Sequence, residues 1–122
     1  MKQHKSSEDY LEAILMIRNK SGNCRSIDVA AHMGFSKPSV SIAMAKLASS
    51  GLVSKDEDGQ LYLTDAGNAI AIRTLEKHNF LIELLTHIGV QKETAEEDAC
   101  LLEHSLSDES FAKLKEWFEE RR

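Results

Sequence analysis

This chain of 122 residues has only two cysteines, one proline and no long apolar run. Its two cysteines, Cys24 and Cys100, are too few for the disulfide framework of a small secreted domain, and a reducing compartment requires no bond between them. The single proline, Pro38, stands where a helix begins, so its missing N–H costs nothing. No apolar run approaches the roughly 18–20 residues of a membrane span. The basic start Met1-Lys2-Gln3-His4-Lys5 leads into Glu8 and Asp9 rather than into an apolar segment, unlike a signal peptide. A cytoplasmic protein with no membrane partner is expected. There is no internal repeat and no low-complexity tract.

What is present is an ordinary globular composition, 42% hydrophobic and 29% charged, in a chain long enough for one cored domain or for a small domain with an added helical layer. The net charge of −5 speaks weakly against a nucleic-acid partner, but it is unevenly spread. Residues 1–75 carry nine Lys and Arg against eight Asp and Glu, whereas residues 76–122 carry six against twelve. The near-neutral front and acidic back suggest a division of labour.

Apolar periodicity predicts a first helix over 6–19, with a stripe of Tyr10, Leu11, Ile14, Leu15 and Ile17, closed by the loop Ser21-Gly22-Asn23. A second helix over 25–33 is capped by Ser26 and stopped by Gly34. A third opens at Ser36-Lys37-Pro38-Ser39, buries Val40, Ala43, Met44 and Leu47, and ends at Gly51. Two short helices about a tight turn form a helix-turn-helix. The segments 52–55 and 60–64 flank the polar turn Asp56-Glu57-Asp58-Gly59 and read as a hairpin, which makes the motif winged. A long helix follows from Asp65 to about Thr86, then helices over 94–106 and 108–120, the last capped by Ser107. The expected fold is mainly α with a small β-wing: a winged helix-turn-helix domain over 1–70 and an all-helical domain over 71–122. The Leu- and aromatic-rich back half has more apolar surface than so small a body buries, so a homodimer is expected.

The chemistry concentrates in Cys100-Leu101-Leu102-Glu103-His104. Residues three and four apart share a helix face, so Cys100, Glu103 and His104 converge there, with Glu96 one turn earlier. A thiol, a carboxylate and an imidazole are donors for a transition metal, and Asp9, Glu12 and His78 are the further donors available. Taken singly, each has a plainer reading: a buried cysteine, a surface histidine, first-turn charge suited to the helix dipole. As a constellation they point to a metal site. For duplex DNA the candidates are Ser36, Lys37, Pro38, Ser39, Ser41, Ile42 and Lys46 on the third helix, with Arg25, Ser26 and the wing residue Lys55. Cys24 and His32 read as structural, His4 and His87 as solvent-facing. A winged-helix regulator sensing a non-metal ligand or redox state is the rival reading. An enzyme is not expected, because no second catalytic cluster or pocket for a small organic substrate is evident.

In order and spacing, Ser7-Glu8-Asp9-Tyr10-Leu11-Glu12, Ser36-Lys37-Pro38-Ser39-Val40-Ser41, Gly51-Leu52-Val53, Leu63-Thr64-Asp65-Ala66-Gly67, Lys77-His78 and the run from Glu97 to Ser107 resemble the diphtheria-toxin-repressor family of iron- and manganese-dependent transcriptional repressors. The resemblance covers nearly the whole chain from Ser6. It implies a winged-helix domain and a helical dimerisation domain. The chain looks like the short manganese branch, which lacks the SH3-like domain of longer members. It further implies a homodimer that binds operator DNA upstream of metal-uptake genes when loaded with Fe²⁺ or Mn²⁺. Asp9 and Glu12 match the N-terminal carboxylate ligands of the manganese branch, His78 the ligand histidine of the linking helix, and Glu103 and His104 the Glu-His pair of both branches. Cys100 departs from the manganese branch, which has glutamate there, and matches the iron branch. Glu96 matches an accessory-site histidine of the iron branch and Ile82 its accessory glutamate, while Ile42 replaces a glutamine that faces the bases. The donor set is thus a hybrid. A thiolate prefers Fe²⁺ over Mn²⁺, with Zn²⁺ and Co²⁺ as competitors in vitro.

Overall fold

A computed structural model describes residues 2–122, with side chains from Ser7 onward. It divides into two compact units, residues 1–73 and 74–122. In chain order the elements are α1 (Lys2–Ser21), α2 (Ser26–Met33), α3 (Lys37–Ser49), β1 (Val53–Lys55), β2 (Leu61–Leu63), α4 (Asp65–His87), α5 (Lys92–Leu102) and α6 (Asp108–Glu120). None of the described helices is long and apolar enough to cross a membrane.

The first unit is a winged helix-turn-helix. Its core is aliphatic: Leu11 and Ile14 of α1, Val29 of α2, Val40 of α3 and Leu61 of β2 are all fully buried, and Met44, Leu47 and Val53 complete the cluster. The thiol of Cys24 is buried among them. The expected stripes therefore face inward. Helix α1 is longer than its 6–19 stripe required, starting at Lys2 and ending at Ser21. At α2 the cap is Arg25, not Ser26, which is the first helical residue. Its backbone N–H donates to the Asp28 carboxylate at 2.9 Å, so the acid three positions on does the capping. His32, expected to be structural, is exposed on α2; the four-residue spacing from Asp28 places it on that helix's wet face. The side chain of His4 lies outside those described.

Helix α3 starts as expected, with Ser36 accepting a hydrogen bond from the Ser39 N–H and Pro38 in the first turn. It ends where Gly51 takes a left-handed φ of 76°, which lets Leu52 N–H reach back to the Leu47 carbonyl at 3.0 Å. The hairpin pairs Val53 with Leu63 and Lys55 with Leu61. Its turn is tied by Asp56, whose Oδ1 accepts from the N–H groups of Asp58 and Gln60, both at 2.9 Å. Gly67 is dictated by packing: a Cβ there would lie 2.0 Å from the Leu52 carbonyl oxygen. The start of α4 thus runs directly against the chain that enters the wing.

The second unit comprises α4 from Thr74 onward, α5 and α6. Its core is smaller and aromatic. Phe80 packs edge-on against Phe111 and Phe118, with centroids 5.4 and 5.9 Å away, beside Leu81 and Ala99. His87 is exposed as expected, its ring edge-on to Phe118. The periodicity predicted one helix over 94–106, but α5 ends at Leu102 and residues 103–105 form a turn. The cause is tertiary. Buried Lys77 donates to the Leu106 carbonyl at 2.9 Å and pairs with Asp108 at 3.0 Å, and Ser107 turns extended to cap α6 by accepting from the Ser110 N–H.

Candidate metal centre and nucleic-acid interface

Within the second unit, one side chain from α4 meets three from the end of α5 and its turn. His78 Nδ1 lies 2.9 Å from Glu103 Oε2, His104 Nε2 lies 3.3 Å from Glu103 Oε1, and Cys100 Sγ lies 4.0 Å from His78 Nδ1. The turn does not spoil the spacing of the Cys100–Glu103 pair. Glu103 keeps helical angles (φ −59°, ψ −27°), and its N–H still bonds the Ala99 carbonyl at 3.0 Å.

Glu103 stands at the centre of this arrangement. Its carboxylate is 1% exposed, between two imidazoles that are themselves 16% and 5% exposed. Its Oε2 accepts no hydrogen bond from any described residue, although an imidazole nitrogen stands within 3 Å. A buried carboxylate oxygen so placed costs about 1–3 kcal/mol, or more when charged, and a divalent cation satisfies it together with the neighbouring donors.

The other predicted ligands belong to other elements. Asp9 and Glu12 are in the first unit, three positions apart on α1, Glu12 buried and Asp9 half-buried. Glu96 is exposed on α5 and belongs to no close group of ligating atoms among the described residues, and Ile82 packs beside the aromatic core. Cys24 is chemically quiet: burial foremost, then the charge of Asp28, pushes its thiol up to about 11 against the opposing pull of Arg18.

On α3 the buried residues Val40, Met44 and Leu47 define the inward face. Lys37, Pro38, Ser41, Ile42 and Lys46 are exposed, and the hydroxyls of Ser36 and Ser39 bond each other at 2.9 Å. Arg25 and Lys55 are also exposed, on the approach to α2 and on β1, and Ser26 is half-buried. Sequence reasoning missed Arg18. From α1 it donates to the Leu61 carbonyl at 3.1 Å and lies over the Tyr62 ring at 4.3 Å, tying the wing to the helix that carries Asp9 and Glu12. Its partners lie more than forty residues away in sequence, so no local pattern could flag it. Lys77 escaped for the same reason.

Two family descriptions divide the chain between them. Residues 3–61 match the N-terminal DNA-binding domain of the iron-dependent repressors, and residues 64–121 match their metal-binding and dimerisation domain. The HTH-type transcriptional regulator MntR of Bacillus subtilis is 32% identical over 94% of this chain and 83% of its own length. The chain belongs to the iron-dependent repressor family. Within that family, the transcriptional regulator MntR of Escherichia coli is 33% identical over 84% of this chain and 66% of its own length. Among solved structures, the IdeR of T. acidophilum superposes with a TM-score of 0.79 at 30% identity, covering 92% of this chain. The chain spans just under two thirds of the E. coli regulator and about half, 53%, of the IdeR chain. Iron-dependent repressors are transcriptional regulators and not enzymes.

Proposed function

We propose that this chain is a metal-dependent transcriptional repressor that binds duplex operator DNA as a homodimer when it holds Fe²⁺ or Mn²⁺. The observation that carries the reading is Glu103, buried with His78 at 2.9 Å and His104 at 3.3 Å and with no hydrogen bond to its Oε2 from a described residue. His78, Cys100, Glu103 and His104 hold the ion, and Asp9 and Glu12 complete its donors from α1. A bound divalent cation supplies positive charge and a coordination sphere that oxygen, nitrogen and sulfur donors fill together.

The rest is done by the chain. Without that charge, Asp9, Glu12 and Glu103 disfavour any arrangement that brings them together; with it, the arrangement that gathers them is selected. Exposed Leu101, Leu102, Leu114 and Trp117 supply the apolar surface on which two copies meet. In the homodimer, two α3 helices set about 34 Å apart match successive major grooves. Cys100 biases selection towards Fe²⁺ over Mn²⁺, with Zn²⁺ and Co²⁺ competing in vitro. The family match, a similar solved structure described as the manganese regulator SloR and a relative named diphtheria toxin repressor support the reading. The role is cytoplasmic, control of metal-uptake genes.

The test is anaerobic fluorescence anisotropy on duplexes enriched from a random pool, titrated with Fe²⁺, Mn²⁺, Zn²⁺ or Co²⁺. Binding should appear with metal and vanish on chelation. Affinity indifferent to chelator would overturn the reading.

A further inference from the structure

Lysine is among the residues least often buried, because its ammonium loses its water unless a partner answers it. Lys77, in the middle of α4, is nevertheless only 8% exposed. Its Nζ donates to the Leu106 carbonyl at 2.9 Å and pairs with Asp108, an acid whose own side chain is 72% exposed. A leucine would fill much the same space without that cost. The ammonium therefore does something that packing alone does not.

What it holds is the chain that leaves α5. That helix stops at Leu102, and Glu103 and His104 stand in the turn that follows. On the near side the turn is fixed by backbone: the Glu103 N–H reaches the Ala99 carbonyl, and the N–H groups of Ser105 and Leu106 share the Leu102 carbonyl, all at 3.0 Å. On the far side it is fixed from α4, by the Lys77 ammonium on the Leu106 carbonyl. The next residue of α4 is His78, whose Nδ1 lies 2.9 Å from Glu103 Oε2. Two adjacent residues of one helix thus grip the same turn, one at the carboxylate and one at the carbonyl three residues later. Yet the charge of Lys77 has the wrong sign for a neighbour of a cation site. By Coulomb's law alone, its removal would tighten the binding of a divalent ion.

We propose that Lys77 is a positioning residue for the metal centre: its bond to Leu106 holds Glu103 and His104 where they meet His78, so that the site is shaped before the ion arrives. The inference rests on the metal-centre reading above. Groups that orient metal ligands from one layer out are worth about 10–100-fold in metal affinity. A site already shaped also spares the ion the entropic cost of ordering a turn. Cys100 precedes the turn, within α5 itself, so it needs no such support. Asp108 balances the charge of the ammonium and offsets its repulsion of the ion.

The test titrates the full chain anaerobically with Co²⁺ and follows its visible and near-ultraviolet absorption. Lys77→Met keeps the aliphatic stem and removes the donor, and exposed Asp108 returns to water. Co²⁺ affinity should fall about 10–100-fold. At saturation the thiolate-to-cobalt charge-transfer band of Cys100 should persist, while the ligand-field bands, which report donor number and geometry, should change. Lys77→Arg keeps the charge but moves the donor; its affinity should fall by less, with the same spectral split, and it carries the test if Lys77→Met does not fold. Unchanged or tighter binding by Lys77→Met, or by Lys77→Arg standing in for it, overturns the proposal and leaves the metal reading intact. So does weaker binding with a wild-type spectrum at saturation, which would make Lys77 a packing residue only. A wild-type chain that shows no charge-transfer band dependent on Cys100 defeats the metal centre as assigned, and the proposal with it.

Discussion

The two units are built on opposite economies of burial. The first packs a contiguous aliphatic core, Leu11, Ile14, Val29, Val40 and Leu61, and its loops are tied by glycines and short polar turns. The second has a small aromatic cluster and buries three polar residues beside it, Thr74, Lys77 and Glu103, all under a tenth exposed, against Glu12 alone among the described residues of the first. Lys77 is answered inside the unit by the Leu106 carbonyl and Asp108. Glu103 has its imidazole neighbours but no hydrogen bond to Oε2 from a described residue. A fold that keeps such a carboxylate trades stability without a ligand for dependence on one.

Breaking that contrast begins in the head. Leu11→Ala leaves a cavity in the aliphatic core and should cost about 2–5 kcal/mol in denaturant unfolding, with or without metal. The second unit should answer differently. Wild type should gain about 2.7 kcal/mol of stability at a metal concentration a hundredfold above its Kd, read as a rise in Tm. Glu103→Gln should lose most of that gain yet leave the metal-free protein as stable as wild type or more so, because a buried charge has gone. A variant equally destabilised in both states would show that Glu103 serves packing alone.

Arg18→Ala sharpens the comparison from the side of the wing. Losing a hydrogen bond and a cation–π contact should cost about 1–2 kcal/mol, and it should weaken DNA binding without changing metal affinity. Metal affinity that falls in step with DNA affinity would make Arg18 part of the metal response rather than of the wing's anchorage. The two cysteines give a smaller, purely chemical contrast. The Cys24 pKa is raised to about 11, so at pH 8 its thiolate is scarce and iodoacetamide should leave it intact. Cys100 should alkylate without metal and be protected with it, as mass spectrometry would read. Replacing Cys100 by Glu should move selectivity from Fe²⁺ towards Mn²⁺.

Much of the head was legible in the sequence because its signals are local: the apolar stripes, Ser36 with Pro38, Gly34 and Gly51, and the Asp56–Gly59 turn each act within a few residues. The end of α5 was not, because the contact that stops it comes from Lys77, twenty-nine residues before Leu106. At α2 the expected cap, Ser26, is already helical, and the Arg25 N–H is met instead by the Asp28 carboxylate, which the apolar pattern does not single out. In the candidate site, spacing alone put Cys100 and Glu103 one turn apart, whereas the meeting of both with His78, 4.0 Å from the Cys100 Sγ and 2.9 Å from the Glu103 Oε2, depends on how α4 packs against α5. Glu96 shows the limit of that method: a shared helix face did not put it in the cluster.

The most direct measurement is X-ray absorption at the iron K-edge of the anaerobic Fe²⁺-loaded chain. One sulfur and imidazole nitrogens should appear among the oxygen donors, and the sulfur should vanish in Cys100→Ser. A first shell of oxygen alone, unchanged by Glu103→Gln, would contradict the assignment of these residues to a metal centre.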